Sequence, residues 1–215
     1  MRKTFKYALL AASALAGAAS AQAGYVNGDL IVGFTGGASD FLYDLGPRSA
    51  LYQGKTWNVG ANLGTQFGVV GSTKYGTHVY ATSYDSRNEN GYDPTGNTGN
   101  AWADMGTFAS TLTVGSSRTT TPTDQTGWTY NTAQPSGTPG STFQNDFFNP
   151  NVASSSAAYL YDNLGDGTVT GGGGSLFTYD ATAGSLTYIP EPTACSLFAG
   201  FGLLSLAVRR QLAKA

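Results

Sequence analysis

Two stretches near residue 35 carry apolar side chains at every second position. In Gly28-Asp-Leu-Ile-Val-Gly-Phe34, Leu30, Val32 and Phe34 share one face, and Phe41, Tyr43 and Leu45 do so in the run from Asp40 to Leu45. A period of two is the signature of a β-strand with one buried face. Shorter β-rich runs follow at 56–59, 66–70, 78–83 and 108–114, separated by Gly, Asn, Asp and Pro. Near the end of this region, Ser-Leu-Phe-Thr-Tyr-Asp (175–180) and Ser-Leu-Thr-Tyr-Ile (185–189) are near copies joined by residues 181–184. They predict a hairpin with facing aromatic and threonine pairs, preceded by a flexible glycine run, Gly171 to Gly174. No sustained helical period occurs between residues 24 and 189. The pattern predicts one all-β domain over 24–189, an antiparallel β-sandwich of two sheets. A membrane β-barrel fits less well, because tilted spanning strands need about ten residues each.

Both ends of the chain depart from this pattern. Arg2, Lys3 and Lys6 precede an apolar run, and Ala21 and Ala23 place small residues at the −3 and −1 positions of a cleavage site before Gly24. Residues 1–23 therefore read as a secretory signal peptide, cut by signal peptidase. At the other end, Pro190-Glu191-Pro192 is followed by sixteen uncharged residues, 193–208, and then Arg209 and Arg210. The prolines fix φ and lack an amide hydrogen, so the chain arrives extended. The apolar block makes a helix of roughly 24 Å, a short single transmembrane helix. The basic residues after it place the C-terminus in the cytoplasm. A buried core helix would carry a polar face, and this block carries none.

A Pro-Glu-Pro tripeptide, an uncharged helix and an Arg-Arg stop at the extreme C-terminus resemble the PEP-CTERM sorting signal of Gram-negative envelope proteins. The resemblance covers residues 190–215. It implies an exosortase-type sorting enzyme as partner, anchoring in the inner membrane before processing, cleavage near the tripeptide, and delivery to the cell surface or beyond it. It also implies an association with biofilm and exopolysaccharide. Cys195 within the helix and five residues after Arg210 depart slightly from that pattern. The opening strands are similar to the start of other domains carried by this signal, without any binding residue in common.

Charge sharpens the picture of the cargo. Residues 24–192 hold five basic and all thirteen acidic side chains, a net charge of −8 that the whole-chain value of −2 conceals. An acidic domain with scattered cations excludes the clustered basic patch of a nucleic-acid binder. With its one cysteine in the tail, the domain has no disulfide and depends on packing.

The residues offer little catalytic chemistry. His78 is the single histidine and alternates with Val79, on the outer face of a strand. A zinc site is short of ligands, and no Gly-x-Ser-x-Gly elbow accompanies His78. The acids are numerous enough for a carboxylate pair, but their spacing singles none out. Asp162-Asn163-Leu164-Gly165-Asp166-Gly167 begins like a calcium loop, yet Leu164 and Gly173 stand where ligands belong, so it reads as a turn. Asp85, Glu89 and Asp93, in the long polar loop 84–100, are the weak calcium candidate; no other cofactor is implied. The second long loop, 119–142, is rich in Thr, Ser, Pro and Gly and reads as a mobile insertion, with Trp128 and Tyr130 hinting at a strand within it. Those two aromatics are the candidate glycan contacts, whereas Trp57 and Trp102 belong to the core. The expectation is a non-catalytic surface or matrix protein, with a carbohydrate-binding module as the alternative.

Overall fold

The computed structural model describes residues 26–73, 78–83, 105–106, 109–132, 151–163 and 169–190. Ten strands account for most of them: β1 (Asp29–Thr35), β2 (Asp40–Pro47), β3 (Thr56–Asn58), β4 (Gln66–Ser72), β5 (Val79–Ser83), β6 (Ser117–Thr120), β7 (Val152–Ala153), β8 (Ala158–Asn163), β9 (Val169–Asp180) and β10 (Ser185–Ile189). A 3-10 turn, Arg48–Ala50, and one short helix, α1 (Trp128–Thr132), complete the described elements. None of the helices among the described residues is long and apolar enough to cross a membrane. The expected signal peptide, the expected loop 84–100 and the part of the expected sorting signal beyond Pro190 lie outside the described residues.

The domain is all-β and antiparallel, as its period-two pattern predicts. Its strands form one continuous sheet rather than two, in the order β3-β10-β9-β8-β5-β4-β1-β2-β6, with β7 paired to the first residues of β4. The sheet curls into a half-barrel. β1 and β9 stand four steps apart, roughly 19 Å in a flat sheet, yet the Phe34 and Tyr179 ring centroids are 4.6 Å apart. Further round, Trp57 Nε1 of β3 donates to the Leu45 carbonyl of β2 at 3.1 Å. Inside the curl lie Leu30, Val32, Phe34, Leu45, Trp57, Phe67, Val69, Phe177, Tyr179, Leu186 and Tyr188, all buried.

Two irregularities shape the curl. Between β1 and β2 the register shifts so that Leu30 faces Gly46 and Ile31 faces Asp44, leaving Leu45 as a bulge. Gly46 takes φ +83°, and its N–H donates to Asp44 Oδ1 at 2.8 Å. Between β8 and β9, Tyr159 faces Leu176 while Tyr161 faces Gly171, so β9 carries extra residues there. The glycine run is thus part of a strand rather than a flexible leader. Its lack of side chains suits a bulge that re-aims the strand. The β9–β10 hairpin forms as predicted, with Thr178 opposite Thr187 and Phe177 opposite Tyr188.

β1 is buried on both faces, which a one-faced alternation does not anticipate. Its outer face, with Ile31, is continued by Leu42, Val70, Val79 and Ala81 and is covered by Met105, Ala109, Leu112 and Trp128. Two expectations are corrected here. Residues 109–114 form turns, not a strand, because Ala109 and Leu112 serve as a cover over this face. The segment 119–142 is not one mobile insertion in its described part: β6 pairs with β2, and the aromatics sit on helix α1 rather than on a strand. Asp40, fully buried, fixes that helix by accepting from Thr129 N and Thr129 Oγ1, each at 2.6 Å. Gly33 provides the floor, since a Cβ there would overlap the Trp128 ring.

Gly33→Ala is therefore expected to displace the indole and lower stability by about 3 kcal/mol, measured by urea unfolding. A change within experimental error would contradict the placement of Trp128.

Candidate functional site

The antiparallel topology collects the start of β1, the ends of β2 and β4, the start of β5, the end of β8 and the end of β10 at one end of the half-barrel. Gly28, at φ +83°, ties this end together. Its N–H donates to the Ser72 carbonyl at 3.1 Å, and its own carbonyl accepts from Arg48 N at 2.8 Å. A cleft of about 300 Å³ opens beside it, lined by Asn27, Gly28, Pro47, Arg48, Ser49, Thr73 and Tyr80. That volume is at the lower limit for a small-ligand pocket.

Just before β5, His78 Nδ1 lies 3.1 Å from each carboxylate oxygen of Asp162 on β8. The His78 ring stacks beside Tyr80, with centroids 6.1 Å apart. Burial raises the Asp162 carboxyl above its ordinary value, opposed by its hydrogen bond to His78 and by the charges of His78 and Arg48. Burial also raises the Tyr80 hydroxyl, with Asp162 adding to the rise and Arg48 opposing it. The Arg48 guanidinium lies 5.7 Å over the Tyr188 ring. An imidazole oriented by a carboxylate is half of a general-base arrangement. Among the described residues, no serine or threonine hydroxyl is hydrogen-bonded to that ring.

Beneath this end, Asp29 and Asp44 are both about 1% exposed. Burial pushes the Asp29 carboxyl up to about 6, Asp44 adds to the rise, and a backbone hydrogen bond from Val26 opposes it. Asp44 is likewise raised by burial and held back by the Gly46 N–H.

The sequence-level candidates fare differently. Trp128, expected as an exposed stacking face for sugars, is fully buried, and its Nε1 donates to Asn151 Oδ1 at 2.6 Å. No sugar can reach it, so that expectation is corrected. Tyr130 is half-buried on the same helix, remote from the cleft. Trp57 belongs to the core, as expected. Asp85, Glu89 and Asp93 lie outside the described residues, as do Ala21, Ala23, Gly24, Glu191, Pro192, Arg209 and Arg210; Pro190 is the last residue described. Among the described residues, no three His, Cys, Asp or Glu side chains gather to hold a metal ion. The cleft itself was not legible, because Gly28, Arg48, Thr73 and Tyr80 come from four separate segments. His78, expected on the outer face of a strand, instead stands just before β5 with its ring beside Tyr80 of the inner cluster.

Comparison of the chain with protein-family models, curated proteins and solved structures finds no match.

A carboxyl raised in the fold stabilises it while protonated. Asp29 accordingly contributes stability fully present below its unfolded value of about 3.9 and lost as pH rises through about 6. Urea unfolding of wild type and Asp29→Asn from pH 4 to pH 7 should show wild type losing on the order of 2 kcal/mol relative to the variant. Parallel pH profiles for the two proteins would contradict the assignment.

Proposed function

We propose that this chain is an exported surface or extracellular-matrix protein, held first in the inner membrane by residues 193–208. A sorting enzyme then cuts it near Pro190, Glu191 and Pro192. Its β-domain works without catalysis, displayed among exopolysaccharide. The observation that supports this reading best is the junction at the end of the fold. β10 runs to Ile189, and Pro190 follows it directly, so the sorting tripeptide begins where the last strand stops. Proline supplies no N–H to a ladder and cannot extend the strand inward. Cleavage at the tripeptide then leaves every strand of the sheet intact.

The signal-peptide pattern at residues 1–23 agrees with this junction, since both ends then act in export. The second reading is a carbohydrate-binding module. With Trp128 buried, it is favoured by the cleft over Arg48 and Tyr80, where Ser49, Thr73 and Asn27 add hydrogen-bonding groups.

Mass spectrometry of the mature protein from a host with an exosortase-type enzyme is expected to find an N-terminus at Gly24 and a C-terminus between Ile189 and Pro192. A chain that still ends at Ala215 in such a host would contradict the sorting claim.

A further inference from the structure

The described surface is polarised from one end of the half-barrel to the other. The exposed large apolar side chains among the described residues are Val26, Tyr52, Val114 and Ile189. All four lie at the cleft end. Val26 precedes β1, and Tyr52 follows the 3-10 turn. Val114 is the side chain nearest Gly46 at the close of β2, and Ile189 ends β10. Two cations accompany them. Lys55 Nζ lies 5.8 Å from the Tyr52 ring and donates to the Ala50 carbonyl at 3.1 Å, while Arg48 sits over Tyr188.

The acids are distributed in the opposite sense. At the cleft end, Asp29 and Asp44 are buried, and Asp162 is engaged by His78. The exposed Asp124 and Asp180 lie toward the far end, one beyond the end of β6 that faces Asp40 and the other in the β9–β10 turn. A domain that is acidic in total thus turns two of its three described cations, Arg48 and Lys55, and its exposed large apolar side chains toward one side, while the third, Arg118, is held by Thr111 Oγ1 and the Thr126 carbonyl beside Asp124.

The chain also leaves the fold on that side. Three residues separate Ile189 from the apolar block that opens at Thr193, a reach of about 10 Å when extended. We infer that this end of the half-barrel is a lipid-docking surface that rests on an anionic bilayer. Tyrosine and aliphatic side chains settle at the level of the headgroups, and Arg and Lys meet their phosphates. The inference rests on the membrane-anchored stage of the proposed function, and it adds a role to the domain itself. Docking holds Pro190, Glu191 and Pro192 at the headgroup level, where a membrane-embedded sorting enzyme meets them.

The test uses the full chain with Cys195→Ser, labelled with an environment-sensitive fluorophore at Tyr52→Cys or, as the far-end control, at Asp180→Cys. Each protein is reconstituted into phosphatidylcholine vesicles with or without about 30 mol % phosphatidylglycerol, an anionic surface like that of a cell membrane. The expected result is flotation of both proteins, with a blue-shifted emission at position 52 only, strongest on the anionic vesicles. Adding Arg48→Gln and Lys55→Gln together should lower the docked-to-undocked ratio by about 30-fold, with the emission at position 180 unchanged as the check on folding. Flotation with identical responses at the two positions would overturn the docking surface and leave the membrane tether standing. Failure to float would overturn both. A shift at position 52 that grows with protein concentration without vesicles would show that a second copy covers this end, and would equally overturn the inference.

Discussion

The edge contact between the Phe34 and Tyr179 rings joins two strands that hydrogen bonding alone would leave far apart. Everything else in the half-barrel depends on that curl. Phe67 lies against both rings, 5.8 Å from Phe34 and 6.1 Å from Tyr179, so the contact has a floor. The Tyr179 hydroxyl donates to the Gly60 carbonyl at 2.7 Å and accepts from Leu63 N at 3.3 Å, latching the β3–β4 connection over the open side. A pair of rings contributes about 0.5–1.5 kcal/mol beyond its buried area. The surrounding apolar burial stabilises the fold by more, and it becomes available only once the sheet has rolled.

The bulge at Leu45 serves the same closure. A bulged residue leaves its ladder groups free, and here the freed carbonyl accepts from Trp57 Nε1. That bond ties edge strand β3 to β2, seven steps away along the sheet. With these ends joined, Arg48 reaches the Tyr188 ring, and the end of β2 lies beside the end of β10. The cleft, the two cations and the exit of the chain at Pro190 share one end for this reason. Asp29 and Asp44 at that end are buried, whereas Arg48 and Lys55 lie at its surface.

Local patterning carried much of this into view. β1 to β5 and the β9–β10 hairpin follow from alternation and from the paired Ser-Leu-aromatic repeats, which are short-range signals. What escaped were features decided by distant partners. β8 reads poorly because its neighbours, β5 and β9, lie on either side of it only after the fold has formed. Residues 109–114 have strand-like composition, yet Ala109 and Leu112 pack as a cover over the outer face of the sheet. Trp128 looked exposed amid threonines, yet Gly33, 95 positions earlier, leaves the space that buries it. The Asp162 partner of His78 is separated from it by 84 residues, beyond any spacing rule. The proposed sorting segments rest on local physics alone: fixed φ, uninterrupted apolarity and terminal charge.

Native-state hydrogen exchange tests the central claim, that one curled sheet closed by ring packing organises the molecule. The amides of β1 and β2 and those of β9 and β10 should exchange with one common opening free energy, as a single cooperative unit. Tyr179→Leu, which removes the ring and its hydroxyl together, should lower that free energy for both groups alike. Separate opening free energies for the two groups in the unaltered protein, with β9 and β10 alone responding to the substitution, would contradict the account and point to two independent layers.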